Sequence, residues 1–170
     1  MILTSLFSLM TIVASNPELA APTPPQIAAG KTNGPADKAA IQQLMAQFHK
    51  AVVAHDGPSL LTLFTQQAGL FNVLTDAALD RVHEKSPAAP KARWTTARQF
   101  ADFVTHAHTS LDPVHTNLSI HTDGTVATVW FDFVFLIDGK AENNGSETWQ
   151  LVKTEEGWKI ASTSYSSRPR

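Results

Sequence analysis

The chain has 170 residues, 43% hydrophobic and 16% charged, enough for one compact domain and too few for two comfortable ones. Thirteen Lys and Arg against 15 Asp and Glu give a net charge of −2, which argues against nucleic acid or an anionic membrane as partner, since both need a basic surface. The absence of cysteine excludes disulfides, thiolate metal sites and cysteine nucleophiles.

Ile2 to Ala14 form an apolar run of signal-peptide length, too short to cross a bilayer as a helix, although no Lys or Arg precedes it. Residues 1–21 are therefore read as a signal peptide, cut near Ser15 or Ala21, and a periplasmic or secreted location is expected, with no membrane attachment after cleavage. Residues 22–35 carry Pro22, Pro24, Pro25, Gly30 and Gly34 and read as a flexible linker to a domain at 36–168.

Ile41, Leu44, Phe48 and Val52 recur at helical spacing and define the apolar stripe of a first helix. Gly57 closes it, and Pro58 suits the first turn of a second helix holding Leu60, Leu61 and Phe64. Residues 66–94 yield one short strand, GLFNVL, and then a Pro-rich loop. The basic residues from Arg81 to Arg98 read as solvated positions on that loop. Thr96 with Gln99 forms a capping box for a third helix, with Phe100, Phe103, Val104 and Ala107 on its core stripe.

After Pro113 the period changes to two. PVHTNLSIHT, TVATVWFDFVFLI, KAENNGSETWQLVKT and GWKIASTSYSS read as four antiparallel strands, linked at Asp123-Gly124, Asp138-Gly139 and Glu155-Glu156-Gly157. Helices first and a meander afterwards give an α+β domain, with about three helices on one sheet face.

Two-residue turns at both Asp-Gly pairs would place His115 opposite Asp132, Asn117 opposite Trp130, Asp132 opposite Gly145 and Trp130 opposite Glu147. Gly145 would then leave room beside Asp132. On this register the core face carries Val114, Leu118, Ile120, Val129, Phe131, Phe133, Phe135 and Ile137. The opposite face carries a polar cluster of His115, Asn117, Asp132, Asn143 and Glu147, flanked by Trp130, Val134, Leu136, Trp149 and Leu151. So much apolar surface away from the helices implies a cover, most simply a second copy of the chain.

The order of elements and the run NNGSETWQLVKTEEGWKIAS resemble the nuclear transport factor 2-like superfamily. That group includes ketosteroid isomerases, scytalone dehydratase and SnoaL-type polyketide cyclases. The similarity extends to an exported, lumazine-binding-like subgroup through Asp132, Asn143, Gly145, Glu147, Trp149, Gly157, Trp158 and Ile160. It implies a cone-shaped α+β fold, a pocket between the helices and the concave sheet face, and dimerisation through the convex face. It implies no particular activity, because one scaffold serves many functions.

Two function classes follow. The preferred one is a small-ligand-binding or interaction module, with Phe131, Phe133, Asn144 and Ser146 about a small hydrophobic or aromatic ligand and Asn117, Trp130, Asn143 and Trp149 at a homodimer interface. The alternative is a lyase or isomerase working by proton transfer. There His115, its pKa raised beside Asp132 and Glu147, acts as general acid, and Trp130 and Trp149 stack on the substrate. His106 and His108, two apart on one helix, point to different sides, so no metal site is expected, and no cofactor motif occurs.

Overall fold

The computed structural model describes residues 34–169, so the expected signal peptide and nearly all of the expected linker lie outside the described residues. Four helices and six strands follow in the order α1 (Pro35–Val53), α2 (Gly57–Thr62), β1 (Phe64–Leu74), α3 (Asp76–His83), β2 (Ala92–Thr96), α4 (Ala97–His106), β3 (Leu111–Thr122), β4 (Val126–Ile137), β5 (Lys140–Thr154) and β6 (Gly157–Ser167). The strands form one curved sheet in the order β2-β1-β6-β5-β4-β3. All neighbours are antiparallel except β1 and β6, which run parallel.

Local chemistry explains the helix ends. Pro35 opens α1, and Asp56 caps α2 by accepting from the Ser59 N–H at 3.0 Å. Thr96 and Gln99 form the expected reciprocal capping box of α4. The region 66–94, expected as a strand and a loop, contains α3 and β2 as well. Lys91 tethers this segment to Asp76.

The core lies between the helices and the concave sheet face. Ile41, Phe48, Val52, Leu60 and Val104 meet Val129, Phe131, Trp149, Leu151 and Ile160 there. Burial of these side chains is the main stabilising term.

The register departs from the sequence expectation at the first turn, which is two residues longer than the expected Asp123-Gly124 reversal, and at two bulges. About the first reversal Thr122 pairs with Ala127 and Ser119 with Trp130, but Thr116 pairs with Asp132 and His115 with Phe133. One extra residue of β3 sits between these pairs, where Asn117 and Leu118 stand against Phe131, and the φ of 55° at Asn117 is a left-handed conformation that asparagine tolerates. About the second reversal Ile137 pairs with Lys140 as expected, but from Phe135↔Asn143 onward every pair is displaced by one residue, giving Phe131↔Glu147 and Asp132↔Ser146. A displacement of one exchanges the faces of a strand.

His115, Asn143, Glu147 and Trp149 therefore belong to the concave face and Asp132 to the convex one, so the proposed His115–Asp132–Glu147 cluster does not form. Trp149 is 0% exposed and Leu151 1%, and neither adds to the outer surface. Val114 and Leu118, expected inside, are exposed instead. Gly145 opposes Phe133 and leaves no room for a ligand: a Cβ there would lie 1.8 Å from the Ser166 carbonyl oxygen. Glycine is needed at this close approach of β5 to β6.

Candidate functional site

A cavity of about 260 Å³ opens between the concave face and α1, α4 and β2. Its apolar wall is Phe48 from α1, Phe100 and Phe103 from α4, Leu70 from β1, and Phe133 and Phe135 from β4. Phe48 and Phe100 stack with centroids 6.0 Å apart, and Tyr165 meets Phe133 edge-on at 5.7 Å. The polar groups facing it are few: Thr95, Gln99, His115, Asn143, Glu147 and Tyr165. An apolar hollow with a handful of convergent polar groups has the make-up of a small-molecule site.

Among the described residues Glu147 is the one carboxylate on this wall. Its Oε1 accepts from the Trp149 indole N–H at 2.7 Å, and among the described residues no cation pairs with it. Burial pushes its pKa up from 4.5 to about 7, while the Trp149 N–H and the nearby Thr163 hydroxyl pull the other way. The group is therefore close to half-ionised at neutral pH.

Tyr165 pairs with Glu147 across β5 and β6. Burial, and then the nearby Glu147 charge, raise its pKa, with Asn72 opposing, so the phenol remains a donor.

His115 packs its ring 4.4 Å from Phe131 and 6.0 Å from Trp149. Burial, followed by repulsion from His49, lowers its pKa to about 4, against a smaller opposing attraction from Asp112. The imidazole is neutral at pH 7. This reverses the expectation of a raised pKa, because the two carboxylates meant to surround it are absent: Asp132 faces the other side, and Glu147 is itself largely protonated below pH 7.

The remaining expected site residues divide between the faces. Phe133 and Asn143 line the cavity, and Phe131, fully buried, packs behind His115. Asn144 and Ser146 alternate to the convex face with Asp132. There Asp132 accepts from Asn117 Nδ2 at 2.8 Å and from Ser146 Oγ at 2.7 Å, which holds its pKa below the usual carboxylate range. Trp130 is half exposed on the convex face and Trp149 lies in the core, so the two cannot clasp one ligand.

Tyr165, Gln99, Thr95 and Leu70 are cavity residues that the sequence reading did not single out for it. Only Tyr165 carried a signal, as the single tyrosine on a strand paired with Glu147. Among the described residues no group of three His, Asp or Glu could hold a metal ion.

Helices packed on one face of a curved, unclosed sheet, with a pocket beneath them, define the nuclear transport factor 2-like cone. The SnoaL-like domain model matches residues 35–164, and the chain belongs to that family. Solved structures share the fold at low identity. A Mycobacterium tuberculosis protein of unknown function is 19% identical, with 79% of this chain and 78% of that one covered and a TM-score of 0.60. A nuclear transport factor 2-like protein of Shewanella baltica, also of unknown function, is 17% identical over 81% and 98%, with a TM-score of 0.58. A candidate scytalone dehydratase of Novosphingobium aromaticivorans is 12% identical over 78% and 85%, also at 0.58. Among curated proteins no relative matches this chain.

Proposed function

We propose that the chain binds a small, flat, mostly apolar molecule in the concave cavity, with Glu147 as its polar anchor. The observation that carries this reading is a single carboxyl, without a cationic partner, opening into an aromatic-lined hollow of about 260 Å³. That volume lies just below the range of drug-sized sites and suits a compact ring system. Export of the chain is part of the proposal and rests on the apolar run of residues 2–14.

A second reading, turnover by a lyase or isomerase, is favoured by one pair of groups. A near-half-ionised Glu147 can take or give a proton at neutral pH, and a protonated Tyr165 beside it can donate to a developing oxyanion. The scytalone dehydratase likeness is consistent with that chemistry but lies at 12% identity. A second copy of the chain on the convex face is also proposed, on the exposed Phe71, Trp94 and Trp130. Trp149 and Leu151 give it no support.

The test is native mass spectrometry and saturation-transfer NMR of the full chain against a panel of small aromatic compounds. Binding that broadens the Phe133 and Tyr165 ring signals and is lost in Phe133→Ala supports the reading. Binding that survives Phe133→Ala and Phe48→Ala would overturn it.

A further inference from the structure

The charges around the cavity restrict what its ligand can be. The ionisable groups facing Glu147 are Tyr165 from β6 and His115 from β3, both neutral at pH 7. The elements β1, β2, α1 and α4 present Leu70, Thr95, Phe48 and Gln99, none of which ionises. No Lys or Arg lines the cavity among the described residues. Behind His115, His49 and Asp112 bond to each other at 2.9 Å near the surface, outside the hollow. A carboxylate or phosphate ligand would find no cation here and would face Glu147.

A positive ligand meets the opposite situation. Aromatic faces attract a desolvated cation through the ring quadrupole, and a buried carboxylate without a partner gains most from an added ammonium. The rings of Phe48, Phe100, Phe133 and Tyr165 line the same cavity as Glu147.

We infer that the cavity takes a protonated amine carried on a small apolar ring, its nitrogen on the Glu147 carboxylate and its body among the phenylalanines. This deepens the proposed function and rests on the cavity being a ligand site. Below neutral pH the binding step is Glu147–COOH + R–NH₃⁺ → Glu147–COO⁻···⁺H₃N–R + H⁺. One proton leaves the carboxyl for solvent and no covalent bond to carbon changes. A neutral ligand held by the protonated carboxyl has the opposite pH dependence, because it loses its donor when Glu147 ionises.

The experiment is titration calorimetry of the full chain with 2-phenylethylamine, 2-phenylethanol and 3-phenylpropionate at pH 5.5, 6.5 and 8.0. It is run in two buffers of different ionisation enthalpy, so that proton release is read directly on the wild type. The amine is expected to bind at least tenfold tighter than the alcohol at pH 8. Its affinity should rise about tenfold per unit up to neutrality, with release of close to one proton at pH 5.5, and then level off. Glu147→Gln should cost the amine about tenfold or more at pH 8 and abolish the proton release at pH 5.5. Alcohol binding that equals or exceeds amine binding and weakens as pH rises overturns the ammonium inference but leaves the ligand-binding reading intact. Tighter binding of 3-phenylpropionate also overturns the inference. Failure of all three compounds to bind overturns both.

Discussion

Replacing Glu147 with glutamine should stabilise the protein at pH 8 and leave it unchanged near pH 4. Burial raises this carboxyl from 4.5 in the unfolded chain to about 7 in the fold. Below pH 4.5 both states are protonated and the group is neutral to stability. Between 4.5 and 7 the unfolded chain loses its proton while the fold keeps it, so stability falls as pH rises. A shift of that size corresponds to about 3 kcal/mol, fully lost above pH 7.

The amide of Glu147→Gln would keep an oxygen for the Trp149 N–H and never need to ionise, so the variant escapes the loss. His115 acts in the opposite sense. Its folded pKa of about 4 lies below the ordinary 6.5, so its contribution is lost as pH falls from 6.5 to 4, again by about 3 kcal/mol. In the wild type the two slopes nearly cancel between pH 4.5 and 6.5, and only the variant separates them.

Thermal melts followed by circular dichroism every half unit from pH 4.5 to 8 provide the assay. The Tm difference should grow from near zero to on the order of 10 °C in favour of Glu147→Gln. Parallel curves for the two proteins, or a variant less stable at pH 8, would refute a buried, unpaired carboxyl at this position.

Other outcomes follow from the same geometry. The His115 ring should show no protonation shift by NMR between pH 8 and pH 5 and should titrate near 4. Gly145→Ala must push β5 from β6, because the added carbon meets backbone atoms of Ser166, and should cost about 1–3 kcal/mol in urea unfolding. Trp149→Phe removes the indole donor to Glu147 and a fully buried ring edge; stability should fall by about 1–3 kcal/mol, and the carboxyl should titrate still higher by ¹³C NMR. Asp132→Asn lies on the opposite side of the sheet, so ligand affinity in the concave cavity should change less than twofold, by calorimetry.

The order of the elements other than α3 and β2 was legible because they rest on local signals: the stripe from Ile41 to Val52, the Thr96–Gln99 box, and alternation after Pro113. What failed was parity. A bulge adds one residue, leaves the alternation of apolar side chains almost intact on either side, and exchanges the faces beyond it. Asn117 in mid-strand was the available hint of the first, since asparagine tolerates positive φ.

The second hint was energetic. A register that put Trp149 and Leu151 outward beside Trp130 left more apolar surface uncovered than a small domain tolerates. A missing partner is one remedy for such an excess, and a register displaced by one residue is another. Here the latter accounts for Trp149 and Leu151. β2 and α3 were hidden for a different reason: ARWTT is an exposed edge strand with no apolar alternation, and α3 buries only Ala78.

Cross-strand proton contacts measured by NMR decide most directly whether the two bulges turn Glu147 and His115 into the cavity. Backbone contacts of Phe131 with Glu147 and of Phe133 with His115 are the expected result. Contacts of Trp130 with Glu147 and of Asp132 with His115 would contradict it, and the cavity would then lose the carboxyl on which the proposed chemistry depends.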